Sequence, residues 1–330
     1  MHRRILVAAS AAAVLAGCPP SHDVTKLAPA AKSSTNSDFS SPLDATLSPD
    51  GKMAYFIAVL PEITSDVSDT PMPAHAGIFS TKVGSEGTNT LLASGDPLAS
   101  PINLDITADG KTLIIADTAA GAGDADRGML FMLDAAGGTP KQVDATVGYR
   151  ARGMAVVNQD WKDTAYFTGN DPADGLPGVF ALDIKTGAVT AKSKSDLFVD
   201  PSGIVVADNG DIYVVDTQTG DLLANVIQIP KGKDPVELLS GLKVGYPAGI
   251  SISKDQQILT VSALDPVTRK DLVLRYDLKL GAYGDPLAGD IIKDFEESAG
   301  LHRAKDVESY VWADSRANGG GTVYVINQVQ

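Results

Sequence analysis

The stretch that decides the fold, residues 201–217, reads PSGIVVADNGDIYVVDT. Residues 204–206 form a short apolar run, Asp208-Asn209-Gly210 follows, and residues 212–215 form a second run of β-branched and aromatic side chains. Asn and Gly reach the left-handed backbone region at least cost, so the segment between the runs is a tight turn. Two runs of this composition around such a turn read as a pair of antiparallel strands.

The opening of this unit recurs along the chain. Seven-residue runs start at Asp44 (DATLSPD), Asn103 (NLDITAD), Gly153 (GMAVVNQ), Gly203 (GIVVADN), Gly249 (GISISKD) and Gly300 (GLHRAKD), with successive spacings of 59, 50, 50, 46 and 51 residues. Proline stands two positions ahead of four of them, at Pro42, Pro101, Pro201 and Pro247. In five of the six units the first and third residues after the anchor are apolar, for example Leu104 with Ile106 and Ile204 with Val206. Alternation places such a pair on one face of a strand. A second strand follows each anchor, at residues 53–59, 112–116, 164–168, 212–215, 258–262 and 309–313, and several of these end in Asp or Asn. A third follows at 77–82, 128–134, 178–184, 225–229, 271–277 and 322–327. Five units add a more polar fourth strand, as at 90–93, 142–145 and 236–239.

Repeats of this period and content predict an all-β fold, a six-bladed β-propeller of four-stranded antiparallel blades over residues 42–330, with the anchor strand innermost. One such unit cannot bury both of its faces alone. The sixth unit runs out of chain, because its third strand ends near Asn327 and Gln330 is the last residue. Either a segment between Val24 and Phe39 supplies the missing outer strand and removes an exposed edge, or the last blade has three strands behind a disordered tether.

The pattern of Pro-x-Gly, apolar strand, Asn-Gly or Asp-Gly turn, and a strand ending in Asp-Thr resembles the NHL repeat, with residues 201–217 as the clearest copy. NHL and related six-bladed propellers include sugar lactonases, scaffolds and ligand-binding domains, so the resemblance implies a fold and leaves the function open. In the sugar-lactonase family the turns equivalent to Pro201-Ser202-Gly203 and Pro247-Ala248-Gly249 carry metal ligands. Here Ser202 and Ala248 stand in those places. Ala has no donor atom and a neutral hydroxyl is a poor ligand for a hard cation.

The first residues predict export. Arg3 and Arg4 precede an apolar run over residues 5–16, too short to span a bilayer. The run ends in Leu15-Ala16-Gly17-Cys18, which resembles the lipobox of bacterial lipoproteins. The resemblance implies a signal peptide over residues 1–17, lipidation of Cys18 and a tether over 18–41, part of which forms the closing strand if the N-terminal segment completes the ring. By the family's sorting rule, Pro19 in place of Asp favours the outer membrane of a Gram-negative cell envelope. Cys18 is the only cysteine, so no internal disulfide is available. The net charge of −14 becomes −16 once Arg3 and Arg4 leave with the signal, which disfavours nucleic acid as a partner.

Little in the chain points to catalysis. There is no nucleophile elbow of the Gly-x-Ser-x-Gly type, no zinc spacing, and the mature histidines are His22, His75 and His302. Unit six breaks the burial pattern, since Arg303 stands where other units have Leu, Ile or Val. His302 shares the alternate strand position with Asp105 of unit two. Asp105, Arg152, His302 and Arg303 are therefore the candidate ligand-binding set at the channel mouth. The plainer alternative is a structural Arg–Asp pair or a slipped register. The acidic loops over residues 117–126 and 170–174 offer Asp117, Asp124, Asp126 and Asp171 for Ca²⁺, although no EF-hand spacing is present and a solvated acidic rim explains them equally. The expectation is a non-enzymatic envelope module that binds a protein, peptide or small ligand and needs no cofactor. The alternative is a diverged lactonase-like, metal-dependent hydrolase.

Overall fold

The computed structural model describes residues 24–32, 38–61, 76–84, 88–121, 123–159, 162–217, 223–245, 247–264, 271–284, 286 and 298–328. The signal peptide, Cys18, His22, His75, Asp265 and most of the long loop after Leu60 lie outside them.

Strand β1 (Val24–Lys32) precedes six units. The first comprises β2 (Ser40–Leu47), β3 (Met53–Val59), β4 (Ala76–Lys82) and β5 (Asn89–Ser94); the second β6 (Pro101–Ile106), β7 (Thr112–Asp117), β8 (Met129–Asp134) and β9 (Lys141–Gln142). The third holds β10 (Met154–Gln159), β11 (Lys162–Asn170), β12 (Pro177–Asp183) and β13 (Val189–Lys194); the fourth β14 (Pro201–Val206), β15 (Ile212–Thr217), β16 (Leu223–Ile229) and β17 (Val236–Lys243). The fifth holds β18 (Ile250–Ile252), β19 (Ile258–Leu264), β20 (Asp271–Asp277) and β21 (Ala282–Tyr283), and the sixth β22 (Ser298–Arg303), β23 (Ser309–Asp314) and β24 (Thr322–Gln328). Within each unit the strands pair antiparallel in chain order. Units four and five form one continuous sheet through the single pair Lys243 and Leu264. The protein is an all-β propeller of small four-stranded antiparallel sheets.

The sixth unit takes its fourth strand from the other end of the chain. β1 pairs antiparallel with β24, Val24 opposite Gln328 and Lys32 opposite Thr322. The outer edge of β24 is thus covered by backbone hydrogen bonds.

The core is distributed between blades rather than collected at one centre. Leu104 and Ile106 of the second inner strand pack with Ile57 and Ile78 of the first unit. Met154 and Val156 pack with Ile114 and Leu130 of the second, and Ile204 and Val206 with Val179 of the third. Ile250 and Ile252 meet Val215 and Val226, and Leu301 meets Val273. Ala45 and Leu47 close the circle against Val311, Val323 and Val325 of the sixth unit, beside the packed rings of Phe39, Phe56 and Phe79. The apolar positions one and three after each anchor therefore face the preceding blade, and position two faces the following one.

The anchor glycines answer to close approach between neighbouring inner strands. A Cβ on Gly153 would lie 1.6 Å from the Ser202 carbonyl oxygen, and one on Gly300 would lie 1.4 Å from Asp44 Oδ1. At Gly153 the obstacle is backbone, so no L side chain fits without parting the two strands, whereas at Gly300 it is the Asp44 side chain, which would have to leave its place.

Deleting residues 24–37 should lower the thermal unfolding midpoint by roughly 5–10 °C, the shift expected for a few kcal/mol of lost edge pairing and packing. An unchanged midpoint would reject β1 as the closing strand.

Candidate functional site

The inner strands all run the same way. We call the face where they begin the upper face and the face where they end the lower face. At the lower mouth of the channel lies a cavity of about 510 Å³. Its wall combines apolar residues of β10, β14 and β18 with Asp105, Asn158, Gln256, His302, Arg303 and Lys305.

Two buried ion pairs organise this end. Asp44, fully buried, faces His302 Nε2 at 3.3 Å through Oδ1 and accepts a hydrogen bond from the Leu104 amide at 2.7 Å through Oδ2. Asp105 accepts from Thr46 Oγ1 at 2.9 Å and from the Val156 amide at 2.6 Å. Lys305 reaches across from the turn after β22 and donates to Asp105 Oδ2 at 3.1 Å and to the Val156 carbonyl at 2.7 Å. Sixth and third units are opposite one another in the ring, so this side chain spans the channel.

The electrostatics follow from that geometry. Burial pushes the Asp44 carboxyl up, partly offset by His302 and the Leu104 amide. Burial also works against a charged His302, but the charge of Asp44 and its hydrogen bond, with Asp105 behind them, outweigh it and raise the imidazole above its ordinary value. Burial would raise Asp105 as well. Lys305 and His302, with the Val156 and Ile106 amides, overcome it and hold that carboxyl below the usual range.

Of the four residues expected at a channel mouth, the structure brings together Asp105, His302 and Arg303. Arg303 Nε donates to the Ile252 carbonyl at 2.8 Å and Nη1 to the Ala304 carbonyl at 2.8 Å. The guanidinium takes the place of an aliphatic side chain by satisfying backbone acceptors, and the register of β22 on β23 runs regularly from Leu301 to Arg303. Arg152 is not part of this site. It precedes β10 on the upper face, where Nε meets Asp200 Oδ1 at 3.0 Å. Two further members were missed, Asp44 and Lys305. Asp44 was visible as a carboxylate standing where four units carry glycine. Lys305 carried no signal, because unit five has Lys254 at the equivalent turn position and that lysine bonds instead to the Asp306 carbonyl and, by its amide, to Glu308.

The carboxylates expected to bind Ca²⁺ are not assembled as an ion site. Asp117 is fully buried and accepts from the amides of Ala99, Ser100, Ala119 and Ala120 at 2.7–3.0 Å. Asp216 and Asp314 hold backbone amides in the same way at their own strand ends. Asp171 pairs with Lys194, and Asp124 and Asp126 are exposed on a 3-10 turn. Among the described residues no three His, Cys, Asp or Glu side chains are placed to hold a metal. Ser202 is buried, with its hydroxyl 3.5 Å from the Val215 carbonyl and 3.4 Å from the Ala248 amide.

The fold defines a class, the β-propellers, and solved structures agree. The chain is similar to a chain of a nidogen/laminin complex, with a TM-score of 0.53 and 14% identity over 74% of this chain and 79% of that one. It is similar to a protein assigned as TolB from Agrobacterium tumefaciens, with a TM-score of 0.55 and 14% identity over 87% and 90% of the two chains. For TolB from Acinetobacter baumannii the TM-score is 0.50 and the identity 16%, over 75% of this chain and 56% of that one. At these identities the likeness is one of fold. No protein-family model and no curated protein matches the sequence.

The His302 ring should titrate with a midpoint above 6.5 by NMR, and Asp44→Asn should bring it below 6.5, since burial then dominates. The raised value means that protonated His302 contributes stability in full below its unfolded pKa, and that this is lost as pH rises through the folded value. A midpoint indifferent to Asp44→Asn would reject the pairing. Lys305→Met should cost about 2–4 kcal/mol in denaturant unfolding by stranding Asp105, with part recovered in the double variant with Asp105→Asn. Strictly additive effects would show that the two groups are not coupled.

Proposed function

We propose that this chain is a lipid-anchored lipoprotein of the bacterial cell envelope whose NHL-like propeller binds a protein, peptide or small ligand without catalysis. The observation that carries this reading is the commitment of the channel groups. Asp105 and Lys305 bond each other and the backbone, Arg303 is held by carbonyls, and His302 is held by Asp44. Groups locked in this way shape a cavity and present fixed charges to an occupant, as binding sites require. The Leu15-Ala16-Gly17-Cys18 motif supports the anchor, and Pro19 supports the outer membrane if the cell is Gram-negative. The general likeness to propellers of a nidogen/laminin complex and of TolB is consistent with a binding role.

One observation favours the lactonase-like alternative. Asp44 and His302 form a carboxylate–imidazole pair next to the cavity, the arrangement a general base would use. A panel of lactones and aryl esters separates the two readings. Absent hydrolysis, or a trace rate unaffected by His302→Gln, supports the binding module. Turnover abolished by His302→Gln and by Asp44→Asn would overturn it. The anchor is tested apart from this: Cys18→Ala should move the protein from the membrane to the soluble fraction, and a wild type already soluble and free of lipid would refute the lipoprotein assignment.

A further inference from the structure

Part of the wall of the lower cavity is open strand edge. In an antiparallel ladder, pairs that exchange hydrogen bonds alternate with pairs whose N–H and C=O groups point away. The Ala207 amide bonds the Asp211 carbonyl, so Val205 and Tyr213 form the next bonded pair. Ile204 and Val206 therefore turn their backbone groups away from β15. The bonds from Ser253 to Ile258 and from Ser262 to Gly249 place Ile250 and Ile252 of β18 in the same way. On an innermost strand that direction is the channel. Arg303 takes the Ile252 carbonyl. Among the described residues, the other backbone groups that these four residues turn to the channel have no protein partner, and all four residues line the cavity. Units four and five thus offer it two rows of unpaired donors and acceptors, with Val205 as an apolar surface beside them.

The charged groups of the wall differ in how far they are used up. Asp105 is saturated by Thr46, Lys305 and the amides of Ile106 and Val156. Arg303 spends Nε and Nη1 on carbonyls, forms no ion pair among the described residues, and keeps Nη2. His302 turns Nε2 to Asp44 and keeps Nδ1, which the protonated ring offers as a donor. The aspartates of the first-to-second-strand turns divide as well. Asp50, Asp109 and Asp255 accept from the hydroxyls of Ser48, Thr107 and Ser253 at 2.8, 2.7 and 2.6 Å, and each also accepts from the amide two residues on. Unit six has Ala304 where those hydroxyls stand. Unit four has Ala207, and there Asn209 bonds the turn amide instead of Asp208. The carboxylates of Asp208 and Asp306 are left exposed at the rim, without a partner among the described residues. Lys305 and Asp105 offset each other, which leaves His302 and Arg303 on β22 against these two.

We propose that this cavity binds a short free peptide, extended along the edges of β14 and β18, with its carboxylate on His302 and Arg303 and its ammonium group at Asp208 and Asp306. Three or four positions along the chain separate the cationic pair from Asp306. That is on the order of 10 Å at about 3.3 Å per residue, a span that roughly three extended residues cover. A carboxylate alone would face Asp208 and Asp306, and an amine alone would face His302 and Arg303. Only a ligand with both ends free answers both pairs, which an internal segment of a protein does not. The cavity of about 510 Å³ has an ordinary size for such a ligand. This assignment rests on the reading of the propeller as a binding module and names the ligand of that same site.

The test is calorimetric titration of the full-length protein with trialanine, N-acetyl-trialanine and trialanine amide. Trialanine should bind, and each capped form should bind at least about tenfold more weakly, the loss expected for one charge-assisted contact. The double variant Asp208→Asn with Asp306→Asn removes carboxylates that hold nothing in the fold. It should lower trialanine to the level of the acetylated form and leave the effect of the amide cap in place. Binding of none of the three peptides, equal binding of free and capped forms, or a double variant that still prefers the free amine overturns the proposal. Chromatography of trialanine after incubation with the protein reads the binding-module assignment separately. Intact peptide leaves that assignment standing even where calorimetry defeats the peptide site. Cleaved peptide defeats it, and the two capped forms still decide whether the ends are recognised.

Discussion

The approach of neighbouring inner strands at the anchor position is the constraint on which this structure depends. Gly153 is pressed against the Ser202 carbonyl, Gly203 against that of Ala248, and Gly300 against the carboxylate of Asp44. Interblade packing of Leu104, Met154, Ile204 and their equivalents requires this closeness, because each apolar pair must reach the preceding blade. At Gly300 the bare backbone leaves the space that the Asp44 side chain fills where units six and one meet. A carboxylate buried there needs a partner, and His302 and the Leu104 amide supply it. The polar half of the channel is thus a consequence of how the circle is completed.

Its charged inner-strand groups lie in units six, one and two. Position two of the inner strand is His302, Thr46 and Asp105 in these units, and Ala155, Val205 and Ser251 in the remaining three. Asp105 sits between Thr46 and Val156, so it joins its blade to both neighbours as Asp44 does. Lys305 then ties Asp105 and Val156 to the opposite blade. A buried ion pair seldom adds much stability over an apolar substitute, but removing one member is costly. Such a network is better understood as fixing which blades meet, and at what spacing, than as a source of net stability.

The repeat was legible because it rests on local chemistry. Turns such as Asp208-Asn209-Gly210 and alternating apolar residues are set by a few neighbours, and they located the second and third strands of each unit to within about two residues. The polar outer strands were less legible: the one expected at 142–145 is only Lys141–Gln142, and a 3-10 turn over Asp144–Thr146 follows it. The aspartates ending β7, β15 and β23 were equally visible, yet their role was not. Exposed loop acids and buried amide clamps look alike in sequence, and only the four amides around Asp117 distinguish them. Arg152 and Lys305 mark the limit in opposite directions. Arg152 lies beside the anchor in sequence and on the far face in space. Lys305 lies in an ordinary turn and crosses the channel, which depends on ring closure and leaves no trace in local pattern.

Ring closure also changes the meaning of the N-terminal segment. Read as sequence, residues 18–41 are a tether that holds the domain away from a membrane. With β1 built into the sixth blade, residues 24–32 belong to the fold, and the chain enters it at the lower edge. The strand that completes the blade therefore also fixes where the chain joins the ring. Val24 and Gln328 lie at one end of the pairing and Lys32 and Thr322 at the other. The chain thus meets the propeller on the side of the cavity, and not on the side that carries Asp124, Asp126 and Asp171.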